Sequence, residues 1–545
     1  MAGDGATTNG ALARRGCSSC VECPFGAVCR AGNPPATKRC EAPWWPIYVF
    51  YTLLAFCVIR YGFTALSESM HLRPDYDANV YHIIGRGWME GVLPYVGLSD
   101  LKGPLVFLQC GLGSLLTPDS FLGVSFIHAL VVGLGLLYAG KGAALLVGRA
   151  AGLAIGGILF VYTLYFSVHP SVTVLTLQYI SFYYVLRHAV RGGGYSGWQA
   201  YACGAFVGLA LLLKFNLVVF WLPIGVALLT DGKWWRRLVQ MLAGFATVML
   251  PAVVYMGCEG MLAACWREYV LTAVEYGSVG MQKSAIVQSG WRLLAQVVPD
   301  HVHLAAPEWF CAMAGALLIL PWLALPRLVS MRHPGVYYGV FGGGFVLGVL
   351  AIFGGEYHFL HYYFSFLPYV GLSLVAWVML LRRLEVWRRI QRWARRGGML
   401  LPFAVVAVAV LLPRYVGACK PEKGLAESRQ ATASLVQRLQ GHVFLCTEAD
   451  TGIYLYRLAN ATPPILHFVP QMIPQGRELH RREMLHCLRT VKPRYLVCSV
   501  HGESATDALI AESGTSYRKV ELCPPHFPTY PSTADYAPFC LYERR

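Results

Sequence analysis

The chain has 545 residues, of which 56% are hydrophobic and only 14% are charged, and its formal net charge is +16. Ordinary soluble domains carry roughly 25% charged residues, so a chain of this length lacks the polar surface to be a string of water-soluble domains. The basic excess does not point to nucleic acid either, because the cations sit in short loops between apolar runs, as a membrane topology requires.

In chain order, residues 1–43 form a polar, Gly/Ala-rich, cysteine-rich tail that is expected to be disordered. Its Cys17, Cys20, Cys23 and Cys29, with Cys40 further on, fit neither zinc-ribbon pairs nor the usual ferredoxin run, and no histidine completes a metal set. The first span, 44–62, opens on Trp44 and Trp45 as interfacial anchors. It starts too late for a cleaved signal peptide and lacks a small-residue cleavage site. A hydrophilic stretch covers 65–104. Apolar runs follow near 105–117, 121–146, 150–167, 171–186, 198–213, 215–230, 237–256, 306–326, 336–354, 362–381 and 398–414. The 105–117 run is too short to span and reads as a re-entrant or interfacial helix, which leaves about eleven transmembrane helices across 44–414.

Lysine and arginine orient these spans. The N-terminal tail carries Arg14, Arg15, Arg30, Lys38 and Arg39, and alternate loops carry Arg149, then Arg187 and Arg191, then Lys233, Arg236 and Arg237, then Arg327 and Arg332. The densest run is the seven arginines from Arg382 to Arg396. With eleven spans all of these fall on one side, which the positive-inside rule makes cytoplasmic. The stretches 65–104, 257–305 and 355–361 and the tail from 415 then lie outside.

The tail, 415–545, alternates short β-like runs (442–446, 495–500) with amphipathic stretches such as 474–491, the pattern of a small α/β domain with its own core. Its six cysteines (Cys419, Cys446, Cys487, Cys498, Cys523 and Cys540) permit up to three disulfides on an oxidising side, or serve as small buried hydrophobes. Asn460-Ala461-Thr462 is an N-glycosylation sequon followed by proline.

The chemistry concentrates in the first outer loop. Asp75 and Asp77 stand just past the first span, and Asp100 precedes Lys102-Gly103-Pro104. A carboxylate at a bilayer edge can take a proton from a hydroxyl or hold a divalent cation, with Asp75 and Asp77 as the candidates for either role. Apolar Val80, Ile83, Ile84, Trp88 and Met89 line one face of a helix that Gly91 ends, and such a helix would lie flat on the membrane. Solvated loop acids are the plain alternative. Lys214, alone between two apolar runs at an outer turn, is suited equally to an anionic ligand and to snorkelling toward headgroups.

The order Asp77-Ala78-Asn79-Val80-Tyr81, Gly85-Arg86-Gly87, Gly91-Val92-Leu93-Pro94-Tyr95 and Asp100-Leu101-Lys102-Gly103-Pro104 resembles the first outer loop of bacterial GT-C glycosyltransferases. The branch in question is related to protein mannosyltransferases and to the aminoarabinose transferase of lipid A. The match is specific over some 30 residues, and topology and an outer C-terminal domain extend a looser likeness over the chain. Asp-Tyr-Asp stands where relatives often show one Asp or Asp-Glu, and the register to Tyr81 and Gly85 favours Asp77 over Asp75.

The resemblance implies an inverting transferase that uses a sugar on a polyprenyl phosphate. An Asp deprotonates an acceptor hydroxyl on a glycan, lipid or protein, and the lipid phosphate leaves. Lys102 is the implied phosphate contact by its match to the family lysine. Arg86, Lys214, Arg267, His358 and His361 are further candidates for the phosphate, while Asp100, Tyr95 and Glu268 are candidates for positioning the loop or the acceptor. The resemblance fixes no cofactor and leaves a divalent cation, on Asp75 and Asp77, open. Such a protein belongs in the bacterial inner (plasma) membrane, with its tail domain periplasmic or extracellular. The rival class is a transporter or flippase of a lipid-linked or anionic substrate, which would place ionisable residues near the bilayer midplane, often in two related halves. A membrane-anchored structural or sensor protein would leave the loop pattern without a purpose.

Overall fold

The computed structural model describes residues 43–61, 76–118, 120–164, 169–230, 232–278, 308–353, 360–383, 425–470, 474–499, 502–520 and 539–545. The cysteine-rich tail, Asp75, His358, the side chain of His361, the last expected span (398–414), Cys419 and Cys523 lie outside the described residues.

The bundle is built from α1 (Trp45–Tyr61), α2 (Tyr76–Met89), α3 (Pro104–Leu116), α4 (Leu122–Val147), α5 (Arg149–Leu164), α6 (Pro170–Arg191) and α7 (Gly197–Leu213). It continues through α8 (Leu222–Leu229), α9 (Trp234–Cys258), α10 (Trp309–Leu328), α11 (Pro334–Ile352) and α12 (Tyr363–Leu381). Among the described residues, α4, α9, α10, α11 and α12 are long and apolar enough to cross a bilayer, with α1, α3, α5, α7 and the 215–229 run as shorter apolar helices. At 13 residues, or about 20 Å, α3 falls short of a hydrocarbon core of about 30 Å.

The local sequence sets the ends of these helices. Pro104 and Pro170 start α3 and α6, where the missing N–H costs nothing. Ser196 and Gln199 form a capping box on α7. Gly148 and Gly192, at φ 80° and 72°, end α4 and α6 in a conformation that suits glycine. Lys214 is extended (φ −161°) and breaks α7 from a 3₁₀ stretch, Phe215–Trp221, so the 215–230 run is not one regular helix.

Where helices cross closely, small residues permit it. A Cβ on Gly204 of α7 would lie 1.8 Å from the Met241 carbonyl oxygen, and one on Gly244 of α9 would lie 1.9 Å from that of Tyr201. The turns also sort into two ends. Asp77 meets His169, and the Gly103 N–H donates to Leu213 O (3.2 Å). At the other end the His333 N–H donates to Ala189 O (3.0 Å), Arg237 reaches Tyr195 O, and Arg382 reaches Val147 O. Turns expected on the same side of the membrane therefore meet one another.

The tail holds α13 (Leu425–Leu439), β1 (Phe444–Cys446), α14 (Ala449–Leu458), α15 (Pro474–Thr490), β2 (Tyr495–Ser499), α16 (Glu503–Ser513), β3 (Tyr517–Val520) and β4 (Phe539–Arg544). The sheet order is β1-β2-β4-β3; β1 and β2 are parallel and the other pairs antiparallel. This is the small α/β unit expected from the alternating pattern. The four described tail cysteines, Cys446, Cys487, Cys498 and Cys540, are buried thiols, so the expected disulfides do not occur among the described residues and these side chains act as small hydrophobes.

Gly204→Leu should force α7 and α9 apart and cost about 1–3 kcal/mol, as overpacking does. Gly257→Ala, with nothing within 4 Å of its added Cβ, serves as the control. Thermal unfolding in detergent reads the difference, and equal melting temperatures would contradict this crossing.

Candidate active site

The break after α7 organises the site. Tyr269, from a π-helical turn over Trp266–Leu271, donates its hydroxyl to Leu211 O (2.7 Å) and accepts from the Phe215 N–H (2.8 Å). One phenol thus satisfies backbone groups on both sides of Lys214, as an interrupted helix requires. The Lys-Gly-Pro element packs straight onto this turn. A Cβ on Gly103 would stand 2.1 Å from Leu212 O, so only glycine allows the approach.

Beneath it, Tyr95 takes a left-handed conformation (φ 66°), which costs a non-glycine residue on the order of 1–3 kcal/mol. Its N–H bonds Leu98 O (2.7 Å), and its buried hydroxyl donates to Lys102 O at 2.6 Å. The Gly-x-x-Pro-Tyr turn is therefore the support that fixes the Lys102 backbone.

Asp77, in the first turn of α2, faces this turn from the other side. Its Oδ2 lies 3.6 Å from His169 Nε2, and its side chain is 34% exposed. His169 Nδ1 is 3.0 Å from Ser171 Oγ, which Lys214 Nζ approaches to 3.5 Å. Lys102 stands over the Tyr81 ring with its ammonium 5.9 Å from the centroid. Lys214 is close enough to feel the charges of both Lys102 and Asp77. Asp100 is buried nearby. Burial raises its carboxyl above the usual range and the Asp77 charge adds to this, while Lys102 and the N–H groups of Leu101 and Lys102 pull it down.

Of the expected residues, the structure thus brings together Asp77, Lys102, Lys214 and Asp100, supported by Tyr95. It adds His169 and Ser171, which the sequence reading missed; the available signal was His169-Pro170-Ser171 at an outer turn. The described residues contain no group of three or more metal-ligating side chains. Asp77 and His169 offer two ligand-type atoms, but the two ammonium groups beside them favour an anion over a divalent cation.

Arg86, Arg267 and Glu268 lie elsewhere, and Arg86 and Glu268 join the tail to the first outer loop. One face of α2 packs on α3. The other, Asn79, His82 and Arg86 at helical spacing, is buried and polar. Arg86 donates to the carbonyls of Tyr456 (3.4 Å), Arg457 (3.5 Å) and Ala461 (2.5 Å) at the C-terminal end of α14, where a cation is favoured. Arg457 in return donates to Asn79 Oδ1 (2.8 Å) and stacks on Phe121 (4.4 Å). Burial, with the Arg457 and Arg86 charges adding to it, holds His82 neutral at about 3. The α2 helix is therefore covered by the tail domain rather than lying bare on a membrane surface.

A second tie runs through His467, whose ring bridges Glu268 (3.0 Å) and Glu483 (2.6 Å). Ser99 also donates to Glu268 (3.2 Å), while Arg267 stays 64% exposed and touches Glu268 at 3.0 Å. Burial alone would lower His467, yet the two carboxylates raise it to about 9, so it is an imidazolium at neutral pH. Burial likewise opposes the charge on Glu268, but hydrogen bonds from His467 and Arg267 hold it below the usual carboxylate range.

Neither a protein-family model nor a curated protein matches the sequence. Among solved structures, ArnT from Cupriavidus metallidurans, crystallised bound to undecaprenyl phosphate, superposes with a TM-score of 0.56 at 14% identity. The alignment covers 92% of this chain and 97% of ArnT. The oligosaccharyltransferase of Archaeoglobus fulgidus, in complex with Zn and sulfate, gives only 0.34 at 12% identity, over 85% of this chain and 69% of its own. The first likeness is one of fold: this is an integral membrane protein that shares the polytopic helical fold of ArnT.

The His467 tie has a pH window. A folded value of about 9 against the usual 6.5 contributes stability that is full below 6.5 and lost as pH rises through 9. Glu268, held low, contributes at neutral pH and loses its share only as acid protonates it in the fold. Thermal stability should fall between pH 6.5 and pH 9, and His467→Gln should flatten that slope. The same alkaline slope in both proteins would contradict the clamp.

Proposed function

We propose that this protein is an inverting glycosyltransferase that moves a sugar from a polyprenyl phosphate to an acceptor hydroxyl on the outer face of its membrane. The observation that carries the reading is one carboxylate, Asp77, set beside two lysines, Lys102 and Lys214, at turns expected on the outer side. It is supported by a fold shared with a protein crystallised bound to undecaprenyl phosphate.

The chemistry needs this charge pattern. Asp77 takes the proton of the acceptor hydroxyl, whose oxygen attacks the anomeric carbon from the face opposite the phosphate. The bond from anomeric carbon to phosphate oxygen breaks and its electron pair stays on that oxygen. The donor is a singly charged diester and the product a monoester that gains a second negative charge. Lys102 and Lys214 sit where that charge grows, so they favour the transition state over the ground state. His169 Nε2 faces the Asp77 carboxylate at 3.6 Å, outside hydrogen-bond distance, while Ser171 lies against its other nitrogen. Asp100, above its usual pKa, braces the Lys102 turn. The acceptor, whether glycan, lipid or protein, enters beneath the tail domain that Arg86 and His467 hold over the loop.

Asp77→Asn keeps size and hydrogen bonding but cannot take the proton, and should cost roughly 10²–10⁴ in rate while donor binding survives. Lys102→Ala loses one charge-assisted contact and should lower donor use about ten- to a hundredfold, with Lys102→Arg milder. Turnover of a radiolabelled polyprenyl-phosphate sugar by purified protein reads both. Full activity in a folded Asp77→Asn protein would overturn the reading.

A further inference from the structure

At the end of the bundle away from Asp77, a cavity of about 300 Å³ opens between α4, α6, α7 and α8. Its walls are mainly carbon, with the rings of Tyr138, Tyr184, Tyr195, Trp198 and Tyr201 around it. Trp198 is 70% exposed and stacked on Tyr201 (5.1 Å), the placement of an aromatic at a membrane–water boundary. The volume holds on the order of ten water-sized groups. That is room for part of an acyl chain but not for a whole lipid.

Cations stand beside it. Lys141 lies within α4, six residues short of its last residue Val147, and its ammonium sits over the rings of Tyr138 (4.7 Å) and Tyr183 (5.1 Å). Tyr138 is also a wall of the cavity. Arg187 stands one helical turn beyond Tyr183 on α6, the ring that Lys141 covers, and is exposed, while Arg191 ends the same helix. Two like charges held together beside an aromatic-walled cavity complement an anion that carries an apolar tail.

We propose that this cavity seats an anionic glycerophospholipid, with one acyl chain among the tyrosines and the phosphate on Lys141 and Arg187. The site is separate from the proposed transfer site and does not depend on that activity. Each cation near a membrane surface contributes on the order of 1 kcal/mol toward anionic lipid, so the pair gives a preference of roughly tenfold or more over neutral lipid.

The test is native mass spectrometry of the full chain in detergent, titrated with phosphatidylglycerol or phosphatidylcholine of the same chains. A Lys102→Ala background keeps anion binding at the outer site from being counted. Phosphatidylglycerol adducts should predominate roughly tenfold, and Lys141→Gln/Arg187→Gln should bring the two lipids near parity. Ala205→Phe, which places a ring in the cavity, should lower retention of both. If the double variant does not fold, Arg187→Gln alone, at an exposed position, should remove about half of the preference in free energy. Equal adducts in the parent, a preference that survives loss of the cations, or retention unchanged by Ala205→Phe would each overturn the proposal.

Discussion

The approach of the Gly103 backbone to the carbonyls of Leu212 and Leu213 is the constraint on which the candidate site depends. Lys102 and Lys214 are 112 positions apart in sequence, on a surface loop and a helix break. Contact without a Cβ brings the two turns together, and two ammonium groups then share one corner of the bundle. Like charges do not gather without reason in a setting of low dielectric. The surrounding scaffold holds them there, through the left-handed Tyr95 bonded to Lys102 O and Tyr269 spanning the break. Such an arrangement suits a ligand whose negative charge increases during reaction.

The tail domain bears on the same loop by different physics. Its two ties are charge-assisted and buried, Arg86 and Arg457 crossing between α2 and α14, and His467 between two glutamates. Buried charges of this kind are costly unless fully paired, so each tie specifies one docking geometry more than it adds net stability. That geometry covers α2 and leaves Asp77 partly open.

Much of this was legible in the sequence, for physical reasons. Hydrocarbon thickness forces apolar runs of fixed length, so the helical bundle followed from composition, and the spacing of arginine anticipated which turns meet one another. The small α/β tail was visible in its alternating runs. The turns that carry Lys102 were legible because the Pro94-Tyr95 and Gly103-Pro104 elements tolerate few other residues.

Long-range pairing was hidden. His169 looks like any loop histidine until α6 brings it to 3.6 Å from Asp77. Arg86 carries the right charge for a phosphate contact, but three carbonyls at the end of α14 claim it. The polar stripe Asn79, His82 and Arg86 was present in α2, yet only the folded tail shows what it faces. Nor did the residues show that the tail cysteines would serve as packing.

The central claim is that Lys102 and Lys214 bind the phosphate of a polyprenyl lipid. Its most direct test is mass spectrometry of lipid extracted from the purified protein, compared between the native chain and Lys102→Ala/Lys214→Ala. The account predicts polyprenyl phosphate, with or without its sugar, carried by the native chain and depleted at least tenfold in the double variant. Equal amounts in both proteins, or bulk phospholipid alone in the native chain, would contradict it.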